Sequence, residues 1–236
     1  MRRNEYKNIE WGLLIVAIIL SIIGVIALFS ATQETGYDEF KKQIIWLVIS
    51  LVIMVIVTLI NYETLVKLSP IFYGISIILL IAVLFTKPIN GATSWFDIGG
   101  FSLQPSEFAK VAVILFLAFI ISKIQERYAD DINKPTRLLI IFAAVAVPLL
   151  LIIKQPDYGT AMAFCVALAM ILFTSGLDKK YIIGALLIAC ISLPILYNFI
   201  LPDHAKKRID IFLNPESDPR GSGYNIIQSK LAIGAG

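Results

Sequence analysis

"WGLLIVAIILSIIGVIALFSA", residues 11–31, runs for 21 positions without one ionisable side chain. At 1.5 Å per residue, a helix of that length covers about 30 Å, the thickness of the hydrocarbon layer of a bilayer. Arg2, Arg3 and Lys7 precede it. The run exceeds the apolar core of a signal peptide and no A-x-A-like site closes it, so a retained first membrane span is expected.

Comparable runs follow at about 43–60, 69–86, 107–124, 137–153, 159–176 and 181–200. Over 236 residues, 58% are hydrophobic and 16% charged, with a mean hydropathy of +0.83, whereas an ordinary soluble domain is about a quarter charged. One soluble core of this size has no room to hide so many spanning runs. The expectation is an all-α polytopic membrane protein, one domain over 1–236 with about seven transmembrane helices. Cys165 and Cys190 fall inside apolar runs and read as small hydrophobes. There is no P-loop, no G-x-G-x-x-G and no Cys/His metal spacing, which argues against a nucleotide-driven engine. His204, the single histidine, has no triad pattern around it and reads as an interfacial loop residue. The net charge of +3 names no ligand, and no nucleic-acid partner is expected.

Orientation follows from Lys and Arg in the short loops. With the N-terminus inside, the inner segments hold Arg2, Arg3, Lys7, Lys67, Lys123, Arg127, Lys134, Arg137, Lys179 and Lys180, ten in all; the short outer loops hold Lys41, Lys42, Lys87 and Lys154, four. Ten against four predicts a cytoplasmic N-terminus. Two outer segments are then long: about 87–106, with an Asn90–Gly91 turn, a Gly99–Gly100 pair and the aromatics Trp95, Phe96 and Phe101, and a large extracytoplasmic loop over 201–236 after the seventh span.

Three polar islands stand out. In "QPSEFAK" (104–110), Pro105 suits the first turn of a helix, and Glu107 and Lys110 share a face just inside the membrane. Ionisable groups at that depth need a partner or water. Two readings stay open: an ion pair fixing the fourth helix, or a polar cavity lined by Lys110 with Glu107 orienting it. In "KQPDYGTA" (154–161), Lys154, Gln155 and Asp157 sit between two closely joined spans, and Asp157 either caps the sixth helix or joins a site. In "NPESDPRGSGY" (214–224), Asp218 precedes Pro219, Gly221 and Gly223 keep the chain supple, and Lys206, Lys207, Arg208 and Arg220 form a basic group able to hold phosphate oxygens. A carboxylate beside cations outside a membrane suggests transfer chemistry on an anionic lipid; the alternative is an ordinary polar loop.

"NGATSWFDIGGFSLQPSEFAK" (90–110), "QPDYGTA" (155–161) and "RIDIFLNPESDPRGSGYNIIQSKLAIGAG" (208–236) resemble, in order and spacing, the signature segments of the SEDS family (shape, elongation, division and sporulation). The resemblance spans essentially the whole chain. It implies a polytopic glycosyltransferase of the bacterial plasma membrane that polymerises lipid II into peptidoglycan strands during elongation and shape maintenance. It implies Asp218 as the catalytic carboxylate and Glu107, Lys110 and Asp157 as site residues; Lys154, Arg208 and Arg220 are taken with them as substrate contacts. Family members usually have ten membrane helices, so the chain is expected to be a C-terminally truncated fragment. Arg220 and Tyr158 depart from the usual apolar residue and leucine at those positions. The implied partners are a class B penicillin-binding protein, other membrane proteins of the elongation machinery and membrane lipids. No metal site is predicted, and a divalent cation is left open. Asp218 would take the proton of the acceptor sugar's 4-hydroxyl as a polyprenyl diphosphate leaves. Two other classes remain: a transporter moving lipid-linked precursors, and a non-catalytic scaffold for a cell-wall synthase.

Overall fold

The computed structural model describes residues 10–33, 36–88, 92–99, 101–128, 132–200 and 203–235. They fall into two compact units, Met1–Ser175 and Gly176–Gly236. The first holds α1 (Trp11–Ala31), α2 (Asp38–Thr58), α3 (Tyr62–Val83), β1 (Phe96–Ile98), β2 (Phe101–Leu103), α4 (Pro105–Tyr128), α5 (Pro135–Lys154) and α6 (Tyr158–Thr174). The second holds α7 (Lys179–Ile195), α8 (Asp203–Leu213) and α9 (Tyr224–Gly234).

Each apolar run of the sequence is matched by one of the helices α1 to α7. By length and composition, α1, α2, α3, α5 and the stretch Lys179–Phe199 suffice to cross a membrane. α6 is shorter, at 17 residues. α4 is long enough at 24, but carries Glu107 and Lys110 at one end and Lys123, Glu126 and Arg127 at the other. It also extends past the expected boundary at 124, because Lys123 and Glu126 pair at 2.8 Å one turn apart and sustain the helix.

The core of the first unit lies among α3, α4, α5 and α6. α4 buries Pro105, Ala109, Ala112, Val113, Leu117, Ile121 and Ile124, spaced by three and four along one stripe. Leu80 and Val83 of α3, Ile141, Val145 and Ile152 of α5 and Phe164 of α6 are buried with them. Tyr73 stacks on Phe116 at 4.3 Å and donates its hydroxyl to the Ala144 carbonyl at 2.8 Å, joining α3, α4 and α5. α1 and α2 bury no residue. A helix apolar all round belongs in hydrocarbon.

Both long segments expected as loops carry regular structure. Residues 96–103 form an antiparallel hairpin pairing Phe96 with Leu103, Asp97 with Ser102 and Ile98 with Phe101. Gly99 opens its turn at φ +62°, a conformation that suits glycine. The hairpin is a small addition to the all-α expectation. Trp46 of α2 packs edge-on against Phe101 at 5.7 Å. The Asn90–Gly91 turn, Gly100 and the basic residues Arg2, Arg3 and Lys7 lie outside the described residues.

The tail is likewise not one long loop. α7 contains Pro194, whose missing N–H breaks the ladder, and the chain widens into a π-turn at Leu196–Ile200. Asn198 Nδ2 donates to the Pro194 carbonyl at 2.7 Å. α8 then folds back: Tyr197 donates to Asp210 Oδ1 at 2.6 Å, and Lys206 Nζ donates to the Asn198 carbonyl at 3.1 Å. His204 is therefore part of a helix and not of a loop.

Candidate active site

The turn between α8 and α9 is closed by its own backbone. Asn214 N–H donates to the Asp210 carbonyl at 2.8 Å, a single 3₁₀ turn covers Pro215–Ser217, and Asp218 N–H donates to the Pro215 carbonyl at 3.4 Å. Gly221 and Gly223 then both donate to the Asp218 carbonyl, at 3.3 and 3.1 Å. A side chain at Gly223 would run into the Pro215 carbonyl oxygen, and one at Gly221 would meet Asp218 Oδ1 at 2.5 Å. Neither glycine sits in the left-handed region. Their role is clearance, not the suppleness inferred from sequence: a Cβ would destroy the turn or cover the carboxylate.

Asp218 presents an asymmetric carboxylate, with its side chain 34% exposed. Oδ2 accepts the Ser222 N–H at 3.2 Å and pairs with Lys207 Nζ at 3.3 Å. No hydrogen bond to Oδ1 is formed among the described residues, and the Gly221 N–H, bonded to the Asp218 carbonyl, lies close enough to the carboxyl to favour its charged form as well. The Ser222 N–H first, and Lys207 after it, hold the carboxyl below its ordinary range, so it is ionised at neutral pH. Lys207 and Ser222 also line a cavity of about 310 Å³ together with Arg208, Ile211 and Ile226. Its lining thus combines two exposed cations with two isoleucines, of which Ile211 is buried. Arg220 is exposed on the turn. Asp210 is engaged by Tyr197, and Glu216 is exposed.

The first unit holds a second polar centre. Asp157 is the N-cap of α6: Oδ1 accepts the Thr160 N–H at 3.1 Å and Oδ2 the Thr160 hydroxyl at 2.8 Å. Gln104, immediately before α4, donates to the same Oδ2 at 2.7 Å. Gln155 is fully buried; its Nε2 donates to the Leu80 carbonyl at 3.1 Å and its own carbonyl accepts Ser94 Oγ at 3.4 Å. The starts of α4 and α6 and the end of α3 are thereby laced together. Glu107 and Lys110 pair at 2.9 Å on the surface of α4, with side chains 57% and 31% exposed. Lys154 ends α5, exposed at a helix C-terminus that favours a cation. Asp218, Arg208 and Arg220 thus belong to one unit, and Glu107, Lys110, Lys154 and Asp157 to the other. Among the described residues no three His, Cys, Asp or Glu side chains converge.

The profile of the FtsW/RodA/SpoVE cell cycle proteins matches residues 10–236, from the first span through the Asp218 turn to the last residue. The chain belongs to this family. Peptidoglycan glycosyltransferase MrdB of Escherichia coli K12 is 36% identical over 247 residues, covering 100% of this chain and 64% of that protein. Probable peptidoglycan glycosyltransferase FtsW of Trichlorobacter lovleyi is 33% identical, covering 99% of this chain and 63% of its own length. The chain thus spans a little under two thirds of these curated relatives. A chain of a solved peptidoglycan synthase complex, described as coordinating polymerization and crosslinking, superposes with a TM-score of 0.76 at 25% identity over 96% of this chain and 65% of its own. The rod shape determining protein RodA of Thermus thermophilus shares the fold, with a TM-score of 0.64 at 24% identity over 81% of this chain and 60% of its own. The FtsW/RodA/SpoVE fold is a polytopic helical one, in keeping with the apolar helices described above.

The sequence does not single out Gln104 or Ser94, gives Gln155 a place in the second polar island but no role, and presents Lys207 only as one of four cations. A signal for the glutamines was present: each stands directly before a proline, Pro105 or Pro156, at a helix boundary. Nothing in the spacing singles out Lys207, whose pairing depends on how α8 folds against the turn.

Proposed function

We propose that this protein is a peptidoglycan glycosyltransferase of the bacterial plasma membrane, polymerising lipid II into glycan strands during elongation, with Asp218 as its general base. The observation that carries the reading is the carboxylate with one oxygen anchored and the other open, beside a cavity bearing two cations. The acceptor sugar's 4-hydroxyl attacks the anomeric carbon of the donor, and its proton passes to Asp218 Oδ1. The new C–O bond forms as the bond from that carbon to the phosphate oxygen breaks, and the electron pair departs on the polyprenyl diphosphate. Lys207 and Arg208 meet the charge that develops on the leaving group. A single displacement inverts the α-linked donor to a β-1,4 product.

The remaining assignments follow from position. Glu107 and Lys110, an exposed ion pair at the head of α4, contact substrate, and Lys154 and Arg220 lie at the rim. Asp157, with both oxygens occupied, supports the substrate site as a helix cap. With an N-in arrangement of seven spans, the α8–α9 turn is extracytoplasmic, the side on which lipid-linked sugars are polymerised. The proposed partner is a class B penicillin-binding protein, a transpeptidase that crosslinks the new strands, together with other membrane proteins of the elongation machinery.

The deciding test supplies lipid II to the complete protein in detergent, with no bilayer to cross. A polymerase makes glycan chains there. Absence of chains, with lipid II translocation in reconstituted vesicles, would favour a transporter.

A further inference from the structure

Lys207 touches two features at once. From α8 its ammonium lies 3.3 Å from Asp218 Oδ2, and its side chain, 62% exposed, also lines the cavity beside Arg208. The separation is long for a charge-assisted bond, and exposed pairs of this kind exchange readily. A lysine ammonium is a compact charge on a flexible stem, able to swing between anions within reach. A diphosphate offers it more charge than a carboxylate. Arg208 lines the same cavity without an ion pair to Asp218. Among the described residues Lys207 is the charged side chain paired with Asp218; Arg220, two residues further along the chain, forms no ion pair with it.

Resting on the polymerase reading, we propose that Lys207 is a positioning residue that changes partners: it holds Asp218 in the empty site and turns to the donor's diphosphate when the donor fills the cavity. Asp218 is then left with the backbone N–H groups of Ser222 and, more weakly, Gly221. The general base is weakened while no donor is present and freed when one is bound. The same movement brings a cation to the phosphate oxygen that receives the electron pair, while the acceptor's proton passes to Oδ1. Chemistry is thereby tied to donor occupancy without any movement of the backbone.

The test compares wild type, Lys207→Gln and Lys207→Arg in the complete protein, measuring polymerisation against lipid II concentration across pH. The acid limb of kcat/KM reports Asp218 in the free enzyme and that of kcat reports it in the complex. Lys207→Gln is expected to raise KM roughly tenfold, the low end of losing a charged hydrogen bond. It should move the acid limb of kcat/KM to higher pH, since a cation has been removed from the resting carboxylate, and leave the limb of kcat where it was. Lys207→Arg should restore both KM and the limb. If both limbs moved together, Lys207 would stay on Asp218 throughout and the exchange would be wrong; if neither moved, the two would be uncoupled and it would also be wrong. Monodisperse elution in detergent checks that each variant is folded. Asp218→Asn separates the levels: wild-type polymerisation by that variant removes the general-base reading itself, whereas an inactive Asp218→Asn with unmoved limbs in Lys207→Gln removes only the exchange.

Discussion

Asp157 and Asp218 each neighbour a proline beside a helix, yet their environments are opposite. Asp157 has three donors spread over both oxygens and ties the start of α6 to Gln104. Asp218 takes the Ser222 N–H and the Lys207 ammonium on Oδ2, and its carboxyl borders the space kept clear by Gly221. A carboxylate held by donors on both oxygens, with three of about four acceptor sites filled, is suited to architecture. One that is anchored through a single oxygen is held in place and still able to react. The two look alike in sequence, and the count and placement of donors separates them.

That contrast can be broken at several points. Away from Asp218 itself, Gly223→Ala should have the largest effect, because its Cβ meets backbone carbonyl oxygens that cannot move aside. Overpacking of about 1–3 kcal/mol at the turn holding Asp218 corresponds to roughly a 10- to 100-fold loss of polymerisation, and wild-type rates would show that the turn is not as tight as described. Lys110→Ala should cost roughly tenfold or more in polymerisation, as loss of a charged hydrogen bond to substrate, in protein that still elutes as a single species. Loss of folding would return Glu107 and Lys110 to a structural ion pair. Asp157→Ala should lower stability by about 0.5–2 kcal/mol through loss of the cap, measured as a drop in thermal midpoint in detergent. Asp157→Asn should recover most of it, since asparagine caps as well as aspartate; no recovery would mean that charge, not capping, matters there. Glu216→Gln should change the polymerisation rate least, within about twofold, as expected of a solvated surface substitution. A large loss would move the reacting carboxylate to Glu216.

Much of the helical layout is legible because the apolar runs are long and carry few charges, so local hydropathy and length decide the existence of α1 to α7, although α2 and α3 begin five and seven residues before their apolar runs. The chemistry-bearing tail is less so. Residues 203–213 mix His204, Lys206, Lys207, Arg208 and Asp210 with Ile209, Ile211 and Phe212, and reading them by charge hides a helix anchored by Tyr197 and Lys206. The hairpin at 96–103 depends on Gly99 adopting positive φ, and three-residue strands leave almost no periodic signal. The proline, glycines and cations around Asp218 leave an ordinary polar loop open, and its catalytic role is an implication of the family resemblance. That Lys207 is the cation bound to it, and that Gly221 and Gly223 act by clearance, depend on contacts across a folded turn. Composition does not encode such contacts.

The most direct measurement is the polymerisation rate of Asp218→Asn in the complete protein, read alongside lipid II binding and thermal midpoint. Asparagine keeps the shape and an oxygen for the Ser222 N–H but cannot take a proton. The rate should fall by about 10² to 10⁴, with lipid II still bound and the midpoint near wild type. Glycan chains made by Asp218→Asn at the wild-type rate would contradict the assignment of Asp218 as the base.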